Sequence, residues 1–302
     1  MALACVGDSV VDVYPSMALA FPGGSALNVA VAARRFGVGA AYLGTIGSDR
    51  PAGILRDALL EEDVEISHVR VAEGPTAFCT VEIIEGERIF GAADVGVSRV
   101  LLNEADLEYL SGFEIVHTGD NSRCEDTLAA LADSAPMSYD FGERPPEYWR
   151  PLAPYVQVAC FSGVRLSPDE AEDLARSAAG LGPRLVLVGE GPRGAMVFDR
   201  KVVHRVTSKV TPVDTLGAGD SLIGRFLAGV ISGEEPRHAL LKANEAAVAT
   251  CLHYGAFGHV TNFGVGGSND AILDARWPLV FDASAHPKRP GIPPGPLRLS
   301  PE

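Results

Sequence analysis

The sequence predicts an α/β fold: a mostly parallel central sheet, helices on both of its faces, and a small β lid. Three observations carry this reading. Short apolar strand patterns alternate with helical ones over most of the chain, as crossovers within one sheet require. One hairpin pattern in the first third stands outside that alternation. Near residue 217, a turn of small residues opens a strongly apolar helix, an arrangement whose exposed backbone N–H groups attract anions.

The elements follow in order. "LACVGDSVVDVYP" reads as a first buried strand with turn chemistry at its end. "GGSALNVAVAARRFG" has the shape of a helix stopped at Gly37. "AAYLGTIG" is strand-like, and "AGILRDALLEEDV" is helical with Leu55, Leu59 and Leu60 on one face. "TAFCTVEIIEGERIFGA" alternates around Glu85-Gly86-Glu87 and predicts a β-hairpin, the candidate lid. "FEIVHTG", "PMSYDF", "VQVACFS" and "PRLVLVGE" repeat the short strand, with helical "SPDEAEDLARSAAGLG" before the last. Leu222, Ile223, Phe226, Leu227, Val230 and Ile231 then recur at helical spacing up to Gly233. "HALLKANEAAVATCLHYG" predicts a helix closing on Gly255. Beyond about His259 the chain is proline-rich and aperiodic, the pattern of a loosely attached tail.

Composition narrows the function. Hydrophobic residues make up 47% and charged ones 21% of 302 residues, enough for one large domain or two smaller ones. A formal net charge of -14 argues against a general nucleic-acid binder, which would show a basic face. No apolar run approaches the roughly 18 residues of a membrane span. The N-terminus lacks the basic region of a signal peptide. Cys5, Cys79, Cys124, Cys160 and Cys251 are scattered without a CxxC pair, which suggests reduced thiols in a cytoplasmic protein.

Two motifs mislead. Gly189-Glu190-Gly191-Pro192-Arg193-Gly194 matches GxGxxG after a strand, but a dinucleotide fingerprint must then open a helix. "AMVFDRKVVHRV" follows instead and reads as a hairpin, although the turn can still approach a nucleotide. "YDFGE" resembles a protein-kinase triplet, but the rest of that signature set is absent, so it reads as a strand end. There is no GxxxxGK[ST], so ATP would be handled without a P-loop lysine.

The chemistry concentrates at "VDTLGAGDSLIG". Gly217, Ala218 and Gly219 leave successive N–H groups free to point at one spot, an anion cradle. A carboxylate in the first helical turn would by itself stabilise the helix by about 0.3–1 kcal/mol. That accounts for Asp220 but not for the stripped turn before it. Phosphoryl transfer accounts for both: the N–H groups of residues 217–220 would hold phosphate oxygens, and Asp220 would take the proton of the attacking hydroxyl.

"DTLGAGD" (residues 214–220) resembles the C-terminal signature of the PfkB, or ribokinase-like, carbohydrate kinases. "GDSVVD" resembles their first-strand sugar motif, "GGSALNVA" their Gly-Gly…Asn motif, and "ARRFGVGAAYLGTIGSD" their N-terminal signature. The likeness runs over about residues 3–258 in the right order. It implies a ribokinase-like kinase domain over residues 1–260, its lid formed by residues 76–97 with part of 12–22, and a tail at 261–302. It implies ATP and Mg²⁺ as cofactors, and K⁺ near Asp214 and Thr215. Asp220 would be the base and Gly217, Ala218 and Gly219 the anion hole. Asp12, Gly24 and Asn28 would hold sugar hydroxyls, Arg88 a charged group of the substrate, and Asn244 and Gly189 the nucleotide. The lid would also serve as a homodimer interface.

Within the family, "GDSVVDVYP", "VEIIEGERIFG" and "FEIVH" are most similar to kinases of fructosamines such as fructoselysine, which act on the 6-hydroxyl. One departure stands out. Where many relatives carry an Asn-x-x-Glu motif that orders Mg²⁺, this chain has Ser162-Gly163-Val164-Arg165. The metal ligands are therefore undefined. Two alternatives stay open: a family kinase of ribose, fructose or a keto-sugar acid, and a non-catalytic sugar or nucleotide binder.

Overall fold

The computed structural model describes residues 2–84 and 87–262. The first third comprises β1 (Leu3–Val6), β2 (Val10–Tyr14), β3 (Leu19–Gly23), α1 (Ser25–Arg35), β4 (Ala40–Leu43), β5 (Thr45–Ile46), α2 (Arg50–Glu61), β6 (Arg70–Val71), β7 (Phe78–Ile84) and β8 (Glu87–Asp94). Next come α3 (Glu104–Leu110), β9 (Ile115–Gly119), α4 (Leu128–Ser134), β10 (Met137–Asp140), α5 (Pro146–Trp149), β11 (Val158–Ser162) and α6 (Pro168–Ala179). The last part holds β12 (Leu185–Gly189), β13 (Ala195–Phe198), β14 (Val203–Val206), α7 (Ala218–Ile231), α8 (Pro236–Thr250) and β15 (Thr261–Asn262).

The main sheet has the order β14-β13-β12-β11-β10-β9-β1-β4. Every pairing from β12 to β4 is parallel, and β13 and β14 turn back antiparallel. Strand side chains alternate between faces. Leu3, Cys5, Tyr42, Cys160 and Leu187 pack with residues of α1, α2, α7 and α8. Ala4, Val6, Leu43, Phe161 and Val188 pack with α3, α4, α5 and α6. Both faces are thus covered, as the alternation predicts. From β1 the chain crosses to β4 on one side and later to β9 on the other, so the strand order reverses at β1. Open α/β sheets bind ligands at such a point, beyond the carboxyl ends of the strands.

A five-stranded sheet, β15-β3-β2-β7-β8, leaves the main sheet at that end, because β2 starts just after β1 stops. The predicted hairpin is β7 and β8. The tip of its turn, residues 85–86, lies outside the described residues, as does the predicted tail at 261–302 except for Thr261 and Asn262, which form β15 against β3 rather than loose tail.

Several expectations need correction. The single first strand is two strands in two sheets. They part at Gly7, where a Cβ would come within 2.0 Å of Ser122 Oγ and 2.7 Å of Ala26 Cβ. "AAYLGTIG" likewise divides into β4 and β5, in separate sheets. Leu60 does not join Leu55 and Leu59 in the core: it is 55% exposed, and they are 0% and 1%. The last helix ends at Thr250 rather than Gly255. Cys251 O accepts the N–H groups of Val213 and Asp214, and the Gly255 N–H goes to Asp214, so residues 251–255 turn back toward α7. The GxGxxG stretch behaves as its context predicts, as a turn between antiparallel β12 and β13.

Helices α1 and α7 approach closely. A Cβ on Gly224 would lie 2.6 Å from Ala32 Cβ, 2.7 Å from Val29 O and 3.1 Å from Ala33 N. Gly224→Ala is expected to destabilise the fold by about 1–3 kcal/mol through overpacking. Gly219→Ala is the control, because a Cβ there meets nothing within 4 Å. Thermal unfolding of the two variants checks this; equal melting temperatures would count against it.

Candidate active site

The site forms where the N-termini of α1 and α7 meet beyond the carboxyl ends of β1, β9 and β10. Gly217 precedes α7 at φ 75 in the left-handed region, which glycine adopts without strain. A Cβ on it would sit 2.4 Å from Ala256 Cβ. Protein packing therefore explains glycine at 217. It does not explain Gly219, whose Cβ would face open space. Among the described residues, Ala218 N–H donates to Thr215 O at 3.3 Å, while the amides of Gly217, Gly219 and Asp220 have no partner. A helix N-terminus with free amides favours an anion.

Asp220 lies in the first turn of α7, half-buried. Ser25 Oγ donates to its Oδ1 at 2.9 Å, and Asn28 Nδ2 to its Oδ2 at 2.7 Å. Burial pushes its carboxyl up to about 6, against the lowering effect of those two donors. Its oxygens are therefore oriented, and it titrates close to neutrality, as a general base should.

The predicted sugar residues converge with it. Asp12 on β2 is only 4% exposed, and no hydrogen bond reaches its carboxylate among the described residues. Burial pushes it up to about 8, opposed by Arg88 and reinforced by Asp220, Asp8 and Asp214. Gly23 makes room for it: a Cβ there would fall 2.0 Å from Asp12 Oδ2. Asn28 Oδ1 and Arg88 Nη1 are both buried without a hydrogen-bond partner. Arg88 lies on β8 with its guanidinium 4.9 Å from the Phe90 ring centre. Unpaired buried polar groups are costly, and a polyol would satisfy all of these.

Gly24 serves the backbone. It has φ 110, and a Cβ on it would lie 2.5 Å from Asp8 O. Gly189 ends β12 against α7, 3.4 Å from Leu222 Cδ2 if it carried a Cβ. Asn244 is buried, and its amide is engaged: Ser208 Oγ donates to its Oδ1 at 2.7 Å, and its Nδ2 donates to Thr207 O at 3.4 Å. It anchors the segment after β14. Asp214 also holds protein, accepting Tyr14 OH, Leu216 N–H at 3.0 Å and Gly255 N–H at 3.1 Å.

Sequence reasoning missed Asp8, Ser25 and Asp140. Asp8 accepts the N–H groups of Ser25 and Ala26 at 2.9 and 3.3 Å, so a side chain of the protein already fills the α1 N-terminus. Asp140 is the aspartate of "YDFGE"; burial, with added repulsion from Asp220, Asp120 and Asp8, pushes it up to about 7. Its place at the carboxyl edge of a parallel strand was the available signal. No group of three His, Cys, Asp or Glu arranged to hold a metal occurs among the described residues.

The raised carboxyls fix a sign for stability. Asp12 titrates near 8 in the fold but near about 3.9 in the unfolded chain, so its contribution is full below about pH 4 and lost as pH rises through about 8. Asp12→Asn is expected to flatten that part of the stability curve and to raise the urea midpoint at pH 8.5 relative to the parent. Parallel pH–stability curves for the two proteins would contradict this.

Comparisons with known proteins identify the family and the fold. The model of the "pfkB family carbohydrate kinase" matches residues 16–260. The chain is 39% identical over 266 residues to the fructosamine kinase FrlD of Bacillus subtilis, covering 86% of this chain and 94% of that one. It is 33% identical over 264 residues to the fructoselysine 6-kinase of Escherichia coli, covering 84% and 99%. Arabidopsis thaliana ribokinase, solved with ribose and ATP, superposes with a TM-score of 0.73 at 20% identity over 85% of this chain and 95% of that one, a likeness of fold. On its motifs, its fold and these matches together, the chain belongs to the pfkB family of carbohydrate kinases.

Proposed function

We propose that the protein transfers the γ-phosphate of ATP to the 6-hydroxyl of a fructosamine such as fructoselysine. The observation that carries the chemistry is Asp220, with both oxygens fixed, beside unpartnered amides at the start of one helix. The sugar hydroxyl donates its proton to Asp220 as its oxygen attacks phosphorus. The amides of Gly217, Gly219 and Asp220 hold the phosphate oxygens as charge shifts onto the leaving group. Asp12, Asn28 and Arg88 satisfy their unpaired groups on other hydroxyls. The names of the relatives support the fructosamine, and an acidic crevice suits a substrate carrying an ammonium group. The ribokinase solved with ATP supports the phosphate donor. Gly189 and Asn244 are assigned to the nucleotide side, Asn244 by positioning its neighbours.

Mg²⁺ accompanying ATP neutralises phosphate charge. The residues here do not fit a protein-built site for it: Arg165 stands in place of the glutamate and pairs with Glu143 at 3.3 Å, so no ligand is assigned. K⁺ is left out, because both oxygens of Asp214 already accept protein donors. A homodimer through the lid is part of the proposal, resting on the outer strand β8, where Ile89 and Phe90 are 40% and 54% exposed. A cytoplasmic setting rests on five free cysteines.

ADP release across a sugar panel tests the substrate. Turnover of fructoselysine well above ribose, fructose and keto-sugar acids is expected. Background turnover of fructoselysine beside efficient use of another sugar would move the assignment within the family, and sugar binding without any turnover would make the protein a binder. Asp220→Asn is expected to lower kcat by about 10²–10⁴-fold with sugar affinity little changed. In the parent, kcat/KM should fall on the acid side of about pH 6, where Asp220 becomes protonated. Unchanged turnover in the variant would remove Asp220 from the mechanism.

A further inference from the structure

Between Ser25 and Ala33, helix α1 has only two polar residues, Ser25 and Asn28. Both donate to Asp220, 195 and 192 residues away in the chain. Ser25 is itself held. Its N–H donates to Asp8 Oδ2 at 2.9 Å, the Ala26 N–H donates to Asp8 Oδ1 at 3.3 Å, and Ser122 Oγ donates to the same Oδ1 at 3.3 Å. No other donor among the described residues reaches Asp220 Oδ1. An alanine here would suit the helix, whose residues 26–33 are alanine, valine and leucine apart from Asn28. Packing therefore does not account for the hydroxyl, and the carboxylate it meets does.

We propose that Ser25, fixed in place by Asp8, is a positioning residue for phosphoryl transfer: it aims Asp220 and sets the pH range over which Asp220 is an ionised base. This rests on the reading of Asp220 as the base. A donor to the charged form of a carboxyl favours that form. Asp8 beyond β1 faces Asp220 as a like charge, and Arg88 on β8 is the opposing cation; Asp12 on β2 and Asp140 at the end of β10 also face it, but both titrate above Asp220 and are themselves raised by its charge. Burial acts with Asp8 to raise the carboxyl, and Ser25 and Asn28 act with Arg88 to lower it. Without the Ser25 hydroxyl, burial and repulsion remain and one of the two donors is gone.

The test compares Ser25→Ala and Ser25→Thr with the parent. The Asp220 carboxyl is titrated by ¹³C NMR in the free protein, its signal assigned by its loss in Asp220→Asn, and kcat/KM is measured across pH. In Ser25→Ala the titration is expected to move up by about one pH unit, lowering kcat/KM about fivefold at pH 6 and less than about twofold at pH 8.5. Ser25→Thr, which keeps a hydroxyl, is expected to retain the parent's titration and pH profile. An unmoved Asp220 titration in Ser25→Ala, or a loss of equal size at every pH, would overturn the proposal. The NMR arm needs no substrate. Failure of every sugar to turn over would therefore sink the kinase assignment while leaving the effect of Ser25 on Asp220 to be decided on its own.

Discussion

Everything at the site depends on how closely α1 and α7 can lie. Gly224 puts the α7 backbone against Val29, Ala32 and Ala33 of α1. At that separation the first turns of the two helices share one corner of the crevice, and Ser25 and Asn28 reach Asp220 at 2.9 and 2.7 Å. Dispersion and burial favour such contact between small side chains. A larger residue at 224 would force the helices apart, and hydrogen bonds of this length do not tolerate such a shift.

The glycines of the motifs divide by what excludes a side chain. At Gly23 it is the Asp12 carboxylate, at Gly24 the Asp8 backbone and at Gly217 the loop at Ala256. These three preserve the shape of the site from within the protein. Gly219 has no such neighbour. It leaves the turn open beside the unpartnered amides of Gly217, Gly219 and Asp220, where the proposed phosphate would sit. A glycine-rich turn thus has two purposes, and only the neighbours of each glycine tell them apart.

The acids of the crevice work against stability. Asp8, Asp12, Asp140 and Asp220 are all raised, with burial as the largest cause in each. Their burial disfavours the charged forms, and the guanidinium of Arg88 offsets it only in part, at Asp12 and Asp220. A ligand that brings hydroxyl donors and positive charge relieves the strain. Sites built this way give up stability for chemistry.

Much of this was legible in the sequence. Apolar runs bounded by glycine and proline located most strands and helices, because local pattern reports which face is buried. "DTLGAGD" pointed to the proposed anion turn and to Asp220, because a stripped turn before an apolar helix has few other uses. What the sequence could not carry were relations across long separations. Position 7, just after β1, takes a glycine because Ser122 and Ala26 crowd it. Asp8 occupies the α1 N-terminus, and Ser25 meets a carboxylate that lies 195 residues on. Asp140 is raised because burial and three distant aspartates act on it. The sequence by itself determined the family and most of the elements, and it named the residue proposed as the base. The tertiary structure alone decided which polar groups share the crevice, because burial and hydrogen-bond partners exist only once the chain has brought distant segments together.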